Sequence, residues 1–135
     1  MMITFLLITS STHKPDVHSF VKSPCTLEKD LDGRYIAYGP TGMEDGWIAI
    51  SYVEGVEDDY EPEELEKIKN SIPDPCFFLV EVGDRPDKAS FLDWFIMNLD
   101  NPENFMIDND HGLIMSAKSV QDRIRGRIEW LLAEQ

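Results

Sequence analysis

The densest group of side chains that could do chemistry in this sequence is Asp108-Asn109-Asp110-His111. Two carboxylates and an imidazole can bind a divalent metal. The same spacing is that of a tight turn, where Asn and Asp are favoured for their backbone geometry. The longer ladder of oxygens that an EF-hand loop needs is absent. We therefore predict a turn without a bound metal, and keep a small hydrolase or other enzyme that uses Asp108, Asp110 and His111 as an alternative.

Other catalytic patterns are missing from the sequence. It contains no GxSxG nucleophile motif, and neither GxxxxGK[ST] nor GxGxxG for cradling phosphates. His13 and His18 fall in a polar, proline-containing loop, which favours a surface role. Cys25 and Cys76 lie far apart and form no CxxC pair, so we expect free thiols, no disulfide and no zinc site. We predict a protein that is not an enzyme and needs no cofactor.

A second stretch is unusual for its charge. Ten Asp and Glu residues and no Lys or Arg lie between Glu44 and Glu66. Crowded like charges raise the energy of the folded state unless counterions or a partner neutralise them. This predicts a binding surface for a basic protein partner, although the same acids could serve only to keep the protein soluble. The residues predicted to contact the partner are Glu44, Asp45, Trp47, Glu54, Glu57, Asp58, Asp59 and Tyr60.

The overall composition restricts the classes of ligand. The chain has 135 residues, 42% of them hydrophobic, and a formal net charge of −14. Nucleic acids and anionic membranes are bound by Lys and Arg, so the charge disfavours both. No apolar run approaches the roughly 18 residues of a membrane span, and the N-terminus lacks the basic region of a signal peptide. We expect one soluble, cytoplasmic domain over residues 1–135.

Hydrophobic periodicity and turn residues predict the strands that must position these side chains. Runs that are apolar on both faces predict buried strands at 2–9, 46–53 and 76–82. A strand at 34–38 completes an antiparallel meander with the first two of these, because short connections favour neighbouring strands. Two short strands, 105–108 and 113–115, should form a hairpin around the Asp- and Gly-containing turn.

Alternation within the predicted strand 46–53 separates two faces. Ile48, Ile50 and Tyr52 form the more apolar face, which we assign to the core. Trp47 falls on the other face, where it either packs under a helix or stands partly exposed beside Glu44. An exposed Trp among acids would be a binding anchor, because Trp often dominates the energy of an interface.

Three helices complete the predicted fold. The first opens at Glu61-Pro62, the second near Asp87, and the third near Ser119, with Asp122 three residues later as in a capping box. The apolar stripes predicted to face the core are Leu65, Ile68 and Ile72, then Phe91, Leu92, Phe95 and Leu99, and then Val120, Ile124, Ile128 and Leu131. The order of elements predicts a single α+β domain, with a mainly antiparallel sheet of about six strands and three helices packed on it.

The chain resembles the small acidic immunity proteins of bacterial toxin–immunity systems, including those of contact-dependent inhibition. The resemblance rests on the small size, the acid-rich segment GVEDDYEPEELE, and the segment NFMIDNDHGLIM followed by an amphipathic helix. It implies a non-enzymatic inhibitor that binds a cognate basic toxin domain, such as a nuclease, and occludes its active site. Acidic groups would then replace nucleic-acid phosphates and speed association. A cytoplasmic adaptor domain is a further alternative.

Overall fold

The computed structural model of the chain describes residues 3–11, 16–40, 42–83 and 90–134. His13 and the predicted helix start near Asp87 lie outside these ranges. Within them are the strands β1 (Ile3–Ser10), β2 (Thr26–Lys29), β3 (Tyr35–Tyr38), β4 (Ile48–Val53), β5 (Pro75–Val82), β6 (Met106–Asp108) and β7 (Ile114–Ser116), and the helices α1 (Pro62–Ser71), α2 (Ser90–Met97) and α3 (Ala117–Arg125). The prediction of a small α+β domain with a mainly antiparallel sheet is confirmed.

The strand that the sequence analysis missed is β2. It pairs with β3 in a hairpin whose turn includes Gly33 at φ +85°. Its four residues, TLEK, give too short an alternation to be recognised as a strand. Pairing with β3 decides the conformation of this segment, and half of β2 stays exposed at the edge of the sheet.

The strand order is β2-β3-β4-β5-β1-β6-β7, and each neighbouring pair is antiparallel. The predicted meander of strands 2–9, 34–38 and 46–53 is wrong, because β5 lies between β1 and β4. Strand β5 pairs with β1 over eight residues and with β4 over six. Central positions bury both faces of a strand, so the two longest apolar strands take them in spite of the long connection between them.

One face of the sheet carries the larger hydrophobic core. Phe5 and Leu7 of β1 and Phe78 and Val80 of β5 lie in it, and α2 and α3 pack over them. The predicted stripe of α2 is confirmed, since its four members are all buried: Phe91, Leu92, Phe95 and Leu99. This face therefore contributes most of the apolar burial of the fold.

The β4 residues assigned to that core are only partly covered. Ile48 and Ile50 are fully buried, as predicted, but Tyr52 is 58% exposed. Tyr52 belongs to the same hydrophobic face by its position in the strand, and it borders a surface cleft at the end of β4. The alternation therefore gives the correct face, but the prediction that Tyr52 is buried is wrong.

The opposite face carries a smaller hydrophobic cluster beneath α1. Ile68 and Ile72 of the predicted stripe are buried there against Ile8 and Phe77, with Leu65 half-buried. Complete burial of an Ile side chain contributes about 1.5–3 kcal/mol. This cluster therefore holds α1, and the acids at its N-terminus, in a fixed position on the sheet.

Helix α3 begins earlier than predicted. Ser116 is its N-cap, and the Ser116 hydroxyl accepts a 3.1 Å hydrogen bond from the Ser119 N–H. Ser119 thus lies inside the first turn, and the capping box predicted for Ser119 and Asp122 is wrong. The strand β7 leads directly into the helix, so the cap forms at the last residue of the strand.

Helix α3 also ends earlier than predicted. Arg127 adopts φ +56°, and the Ile128 N–H donates to the Arg123 carbonyl at 2.8 Å, which closes the helix in a Schellman motif. Ile128 is consequently 57% exposed rather than part of the core stripe. Leu131 is buried, as predicted, but from an irregular segment that follows the helix.

Candidate functional site

Strand β4 separates the eight residues predicted to contact a partner into two groups. Glu44, Asp45 and Trp47 precede the strand, whereas Glu54 to Tyr60 follow it. At roughly 3.3 Å per residue, the six residues of β4 place the two groups about 20 Å apart. An acidic stretch that is continuous in sequence therefore forms two separate surfaces in the fold.

The group before β4 is arranged around a packed Trp. Glu44 is exposed in the 3-10 turn Met43–Asp45, and the side chain of Asp45 lies outside the described part of the chain. The Trp47 carbonyl accepts a 2.8 Å hydrogen bond from the Gly83 N–H. The indole of Trp47 covers Gly83 so closely that a Cβ at position 83 would overlap the ring. Trp47 is thus half-buried, and part of its ring is used for internal packing.

The group after β4 is an acidic loop anchored to the sheet. Gly55, at φ +77°, leads the chain into a 3-10 turn at Val56–Asp59. Val56 packs against the hydrophobic cluster beneath α1, while Glu54, Asp58 and Asp59 are exposed. The loop therefore presents carboxylates from a backbone that an apolar contact holds in place.

Tyr60 connects this loop to the β6–β7 hairpin. Its hydroxyl donates a 2.6 Å hydrogen bond to Asp108 Oδ2, and its ring lies 5.9 Å from that of Phe77. Burial raises the pKa of Tyr60, and the hydrogen bond to Asp108 and the negative charges of Asp108, Glu64 and Asp110 raise it further. The carboxylate of Glu64, in the first turn of α1, and those of Asp108 and Asp110, in the hairpin, therefore all act on Tyr60, although more than forty residues separate Glu64 from the hairpin in sequence.

The start of α1 continues the acidic loop. The Glu61 N–H donates to Glu64 Oε1 at 3.1 Å, and acids at this end of a helix interact favourably with its dipole. We use the name acidic surface for the loop, the helix start and the hairpin tip together, which comprise Glu54, Glu57, Asp58, Asp59, Glu61, Glu63, Glu64 and Asp110.

The lysines of α1 are both engaged beside this surface. Lys69 Nζ lies 3.8 Å from Glu57 Oε2, in a pair that is nearly half exposed on both sides. Exposed pairs of this kind contribute less than about 1 kcal/mol. Lys67 Nζ donates to the Ile114 carbonyl at 2.7 Å, which ties α1 to β7. The acidic surface therefore keeps a strong excess of negative charge.

The hairpin residues considered for catalysis have structural contacts. Besides binding Tyr60, Asp108 accepts a 2.9 Å hydrogen bond from the Asp110 N–H through Oδ1. Asp110 adopts φ +65°, and Asp110 and His111 are exposed. This confirms the predicted turn. Among the described residues, no group of three or more His, Cys, Asp or Glu is arranged to hold a metal ion.

Asn109 is the residue of this turn whose role the sequence analysis missed. It is fully buried, and its Oδ1 accepts from the N–H groups of His111 (2.9 Å) and Leu113 (3.1 Å). Its Nδ2 donates to the carbonyls of Trp130 (2.7 Å) and Ala133 (2.6 Å). Asn was recognised as a turn residue, but nothing local indicates that its amide also holds the C-terminal segment against the sheet.

Both cysteines are free thiols. Cys25 is half-buried and Cys76 is buried at the start of β5. Burial raises the pKa of Cys25, and it raises the pKa of Cys76 to about 11. Since the thiolate is the reactive form, this environment makes both residues weak nucleophiles at neutral pH.

Comparisons of the chain with known proteins give no match. No protein-family model, no curated protein and no solved structure matches the chain. Over the described ranges, every helix is too short or too polar to cross a membrane. The function is therefore inferred from the geometry of the acidic surface and of the hairpin that supports it.

Proposed function

We propose that this protein is a binding protein whose acidic surface captures a basic protein partner and neutralises it by covering its active site. The observation that carries the proposal is the 2.6 Å hydrogen bond between Tyr60 and Asp108. This bond holds the loop after β4 against the β6–β7 hairpin, so that carboxylates from distant parts of the chain converge on one surface.

Convergence of like charges has an energetic cost that a cationic partner would remove. The free protein holds Glu54, Asp58 and Asp59 exposed on the loop that precedes Tyr60, while Glu64 and Asp110 act on Tyr60 itself, and crowding of like charges raises the free energy of the unbound state. A basic partner would relieve this repulsion and would be steered toward the surface over a distance of about a Debye length, roughly 8 Å at physiological salt. The fixed backbone limits the entropy lost on binding.

The hairpin geometry favours this role over the enzymatic alternative. The carboxylate of Asp108 is engaged by Tyr60 and by the Asp110 N–H, and the amide of Asn109 makes four hydrogen bonds to backbone groups. Such satisfied polar groups stabilise structure, whereas a catalytic group needs a lone pair or proton directed at a substrate. We therefore assign Asp108 and Asn109 a supporting role, which leaves the exposed side chains of Asp110 and His111 as the remaining candidates of the enzymatic alternative.

Toxin neutralisation is the specific form of binding that we propose. The resemblance to small acidic immunity proteins supports it, and a toxin that acts on nucleic acids would expose the Lys and Arg that bind phosphates. The acidic surface would occupy those side chains and block access to the active site. Binding of a basic toxin domain to the acidic surface would thus neutralise the toxin.

The proposal is tested by capture of the partner and measurement of its association kinetics. The tagged protein is used to isolate a partner from the source organism, and association rates are measured at increasing salt for the wild type and for Glu57→Gln/Asp58→Asn/Asp59→Asn. We expect the triple variant to associate more slowly and with a weaker salt dependence. The matched control, Asp100→Asn/Glu103→Gln/Asp122→Asn, removes three exposed carboxylates elsewhere and should associate nearly as fast as the wild type.

Two outcomes would contradict the proposal. Equal slowing by both triple variants would mean that only net charge matters, and no slowing by either would place the binding face elsewhere. For the neutralising role, the captured partner is expressed in a host cell alone and together with this protein. We expect co-expression to restore growth; growth inhibition that is unchanged by co-expression would reject neutralisation.

A further inference from the structure

A cleft of about 430 Å³ opens on the face of the sheet opposite α1. It lies where β4 ends and β5 begins, so that Tyr52 in its wall is two residues from Glu54 of the acidic surface. We call it the aromatic cleft. The described residues that line it are Ser11, Asp16, Val17, Gly33, Tyr35, Ile50, Tyr52, Cys76 and Phe78.

The sheet register explains why the aromatic cleft is open. Tyr52 pairs with Phe78 of β5, and the two rings meet edge to face at 5.6 Å. On the other side, continuing the β3–β4 register past Tyr35 places Gly33 beside Tyr52. Glycine has no side chain, and a Cβ at position 33 would meet no atom within 4 Å. One side of the Tyr52 ring therefore faces open space.

A carboxylate stands at the rim of the cleft. Asp16 Oδ1 accepts a 3.0 Å hydrogen bond from the His18 N–H and lies 3.1 Å from His18 Nδ1. These hydrogen bonds lower the pKa of Asp16, so it is negatively charged at neutral pH. Asp16 Oδ2 has no hydrogen bond among the described residues. The described residues thus give the cleft a negative charge at its rim, held in place through Oδ1.

The two tyrosine rings suit a positive charge. Lys29 Nζ already lies 5.8 Å from the centroid of the Tyr35 ring, so this ring attracts a cation within the protein itself. The Tyr52 ring is 58% exposed, and its hydroxyl has no partner among the described residues. Aromatic faces beside a carboxylate are the surroundings in which guanidinium groups are held, because the group is planar, weakly hydrated and able to pair with carboxylates.

We propose that the aromatic cleft binds the guanidinium group of an arginine side chain presented by the basic partner. That the arginine belongs to the basic partner rests on the proposed function, whereas the binding of a guanidinium group by the cleft does not. The guanidinium stacks on Tyr52 and donates to Asp16 Oδ2, while the aliphatic stem lies on Val17. A neutral aromatic side chain would fit the walls but carries no N–H donor and no positive charge for the carboxylate of Asp16.

The test uses small probes and no partner. The isotope-labelled protein is titrated with N-acetyl-arginine-methylamide, and resonances of Val17, Tyr35 and Tyr52 are followed by NMR. We expect saturable shifts at these residues, and much smaller ones with the citrulline analogue, which has the same shape without the charge. N-acetyl-phenylalanine-methylamide should also give little response.

Matched variants locate the site. Tyr52→Ala should weaken binding of the arginine probe by about two- to fivefold, as expected for loss of one exposed cation–π contact. Tyr38→Ala removes a tyrosine from the opposite face of the same sheet and should leave binding unchanged. Asp16→Asn should also weaken binding, whereas Asp100→Asn, at an exposed carboxylate outside the cleft, should not.

Three results would overturn the inference: no saturable shift with the arginine probe, an equal response to the citrulline or phenylalanine probe, or unchanged binding by both Tyr52→Ala and Asp16→Asn. Each of these would leave the proposed function standing, because the kinetic test of the acidic surface uses the intact partner. Conversely, binding of the probe with no effect of the acidic triple variant on partner association would support the cleft and reject the acidic surface.

Discussion

The two ends of β4 carry similar sequences in different structures. Trp47 and Tyr60 are both half-buried aromatic residues with acids beside them in the chain. Trp47 is held by packing on the backbone of Gly83, whereas Tyr60 is held by a hydrogen bond to the carboxylate of Asp108. The first contact is apolar and adds no charge to its neighbourhood. The second brings the hairpin tip, with Asp110, into the acidic surface.

This difference shows that the number of acidic residues in a segment of sequence does not by itself predict where the folded protein has an acidic surface. The strand between the two groups separates them, and among the described residues it is the group after β4 that gains carboxylates from another part of the chain, those of Asp108 and Asp110. We therefore expect variants at the Tyr60 end to alter both stability and partner binding, and variants at the Trp47 end to alter stability alone.

The largest effect is expected for Asn109→Ala, which removes the support of the Tyr60 end. The variant leaves two carbonyls and two N–H groups without their partner, and an unsatisfied buried group typically costs about 1–3 kcal/mol. Because solvent reaches some of these groups, we expect a loss of about 3 kcal/mol in the free energy of unfolding, measured by urea denaturation.

Asn70→Ala is the matched control for that variant. Asn70 is exposed on α1, so its replacement should change the stability by less than about 0.5 kcal/mol. A similar loss in both variants would show that Asn109 has no special role. Trp130 packs edge to face on Phe5 at 5.4 Å, so its fluorescence should also report release of the C-terminal segment in Asn109→Ala.

An intermediate effect is expected for Gly83→Ala at the Trp47 end. The new Cβ would overlap the indole of Trp47, and overpacking of this kind costs about 1–3 kcal/mol. The glycine itself does not have a positive φ, so the cost comes from the clash alone. We expect a destabilisation of about 2 kcal/mol by urea denaturation, with an unchanged rate of partner association.

A double-mutant cycle isolates this contact. In a Trp47→Ala background the clash is absent, so Gly83→Ala should cost much less there than in the wild type. Equal costs in both backgrounds would mean that the damage comes from the backbone and not from the ring. Slower partner association in Gly83→Ala would contradict the division between the two ends.

The smallest effect on stability is expected for Tyr60→Phe, which removes only the hydroxyl. A hydrogen bond to a charged group contributes about 1.5–3 kcal/mol. Because this pair is partly exposed, we expect the free energy of unfolding to fall by about 1.5 kcal/mol. Tyr52→Phe removes an exposed hydroxyl and serves as the control, with a change of less than about 0.5 kcal/mol. Unlike Gly83→Ala, the Tyr60 variant should also slow partner association.

The pH dependence of Tyr60→Phe has a defined sign. The fold raises the pKa of Tyr60 above the ordinary value of about 10, so the protonated hydroxyl is favoured in the folded state. Its contribution to stability is complete below about pH 10 and is lost as the pH rises above that value. The difference in unfolding free energy between wild type and Tyr60→Phe should therefore shrink in alkaline solution. A difference that stays constant in alkaline solution would show that the fold does not raise the pKa of Tyr60.

Local patterns were enough to predict most of the secondary structure. The apolar runs of β1, β4 and β5, the stripe on α2 and the turn at Asp108–Gly112 were all recognised, because periodicity and turn chemistry act over a few residues. The short strand β2 and the ends of α3 were not. Pairing with β3 determines that β2 is a strand, and the caps at Ser116 and Arg127 determine where α3 begins and ends.

The amino-acid sequence by itself determined which faces are apolar, where the turns lie and how much negative charge the chain carries. Only the tertiary structure decided which charges meet. The six residues of β4 set the distance between the two acidic groups, and the Tyr60–Asp108 bond joins residues far apart in the chain. The physical reason is range: side-chain periodicity is a local property, whereas burial and hydrogen bonding between distant segments depend on the whole fold.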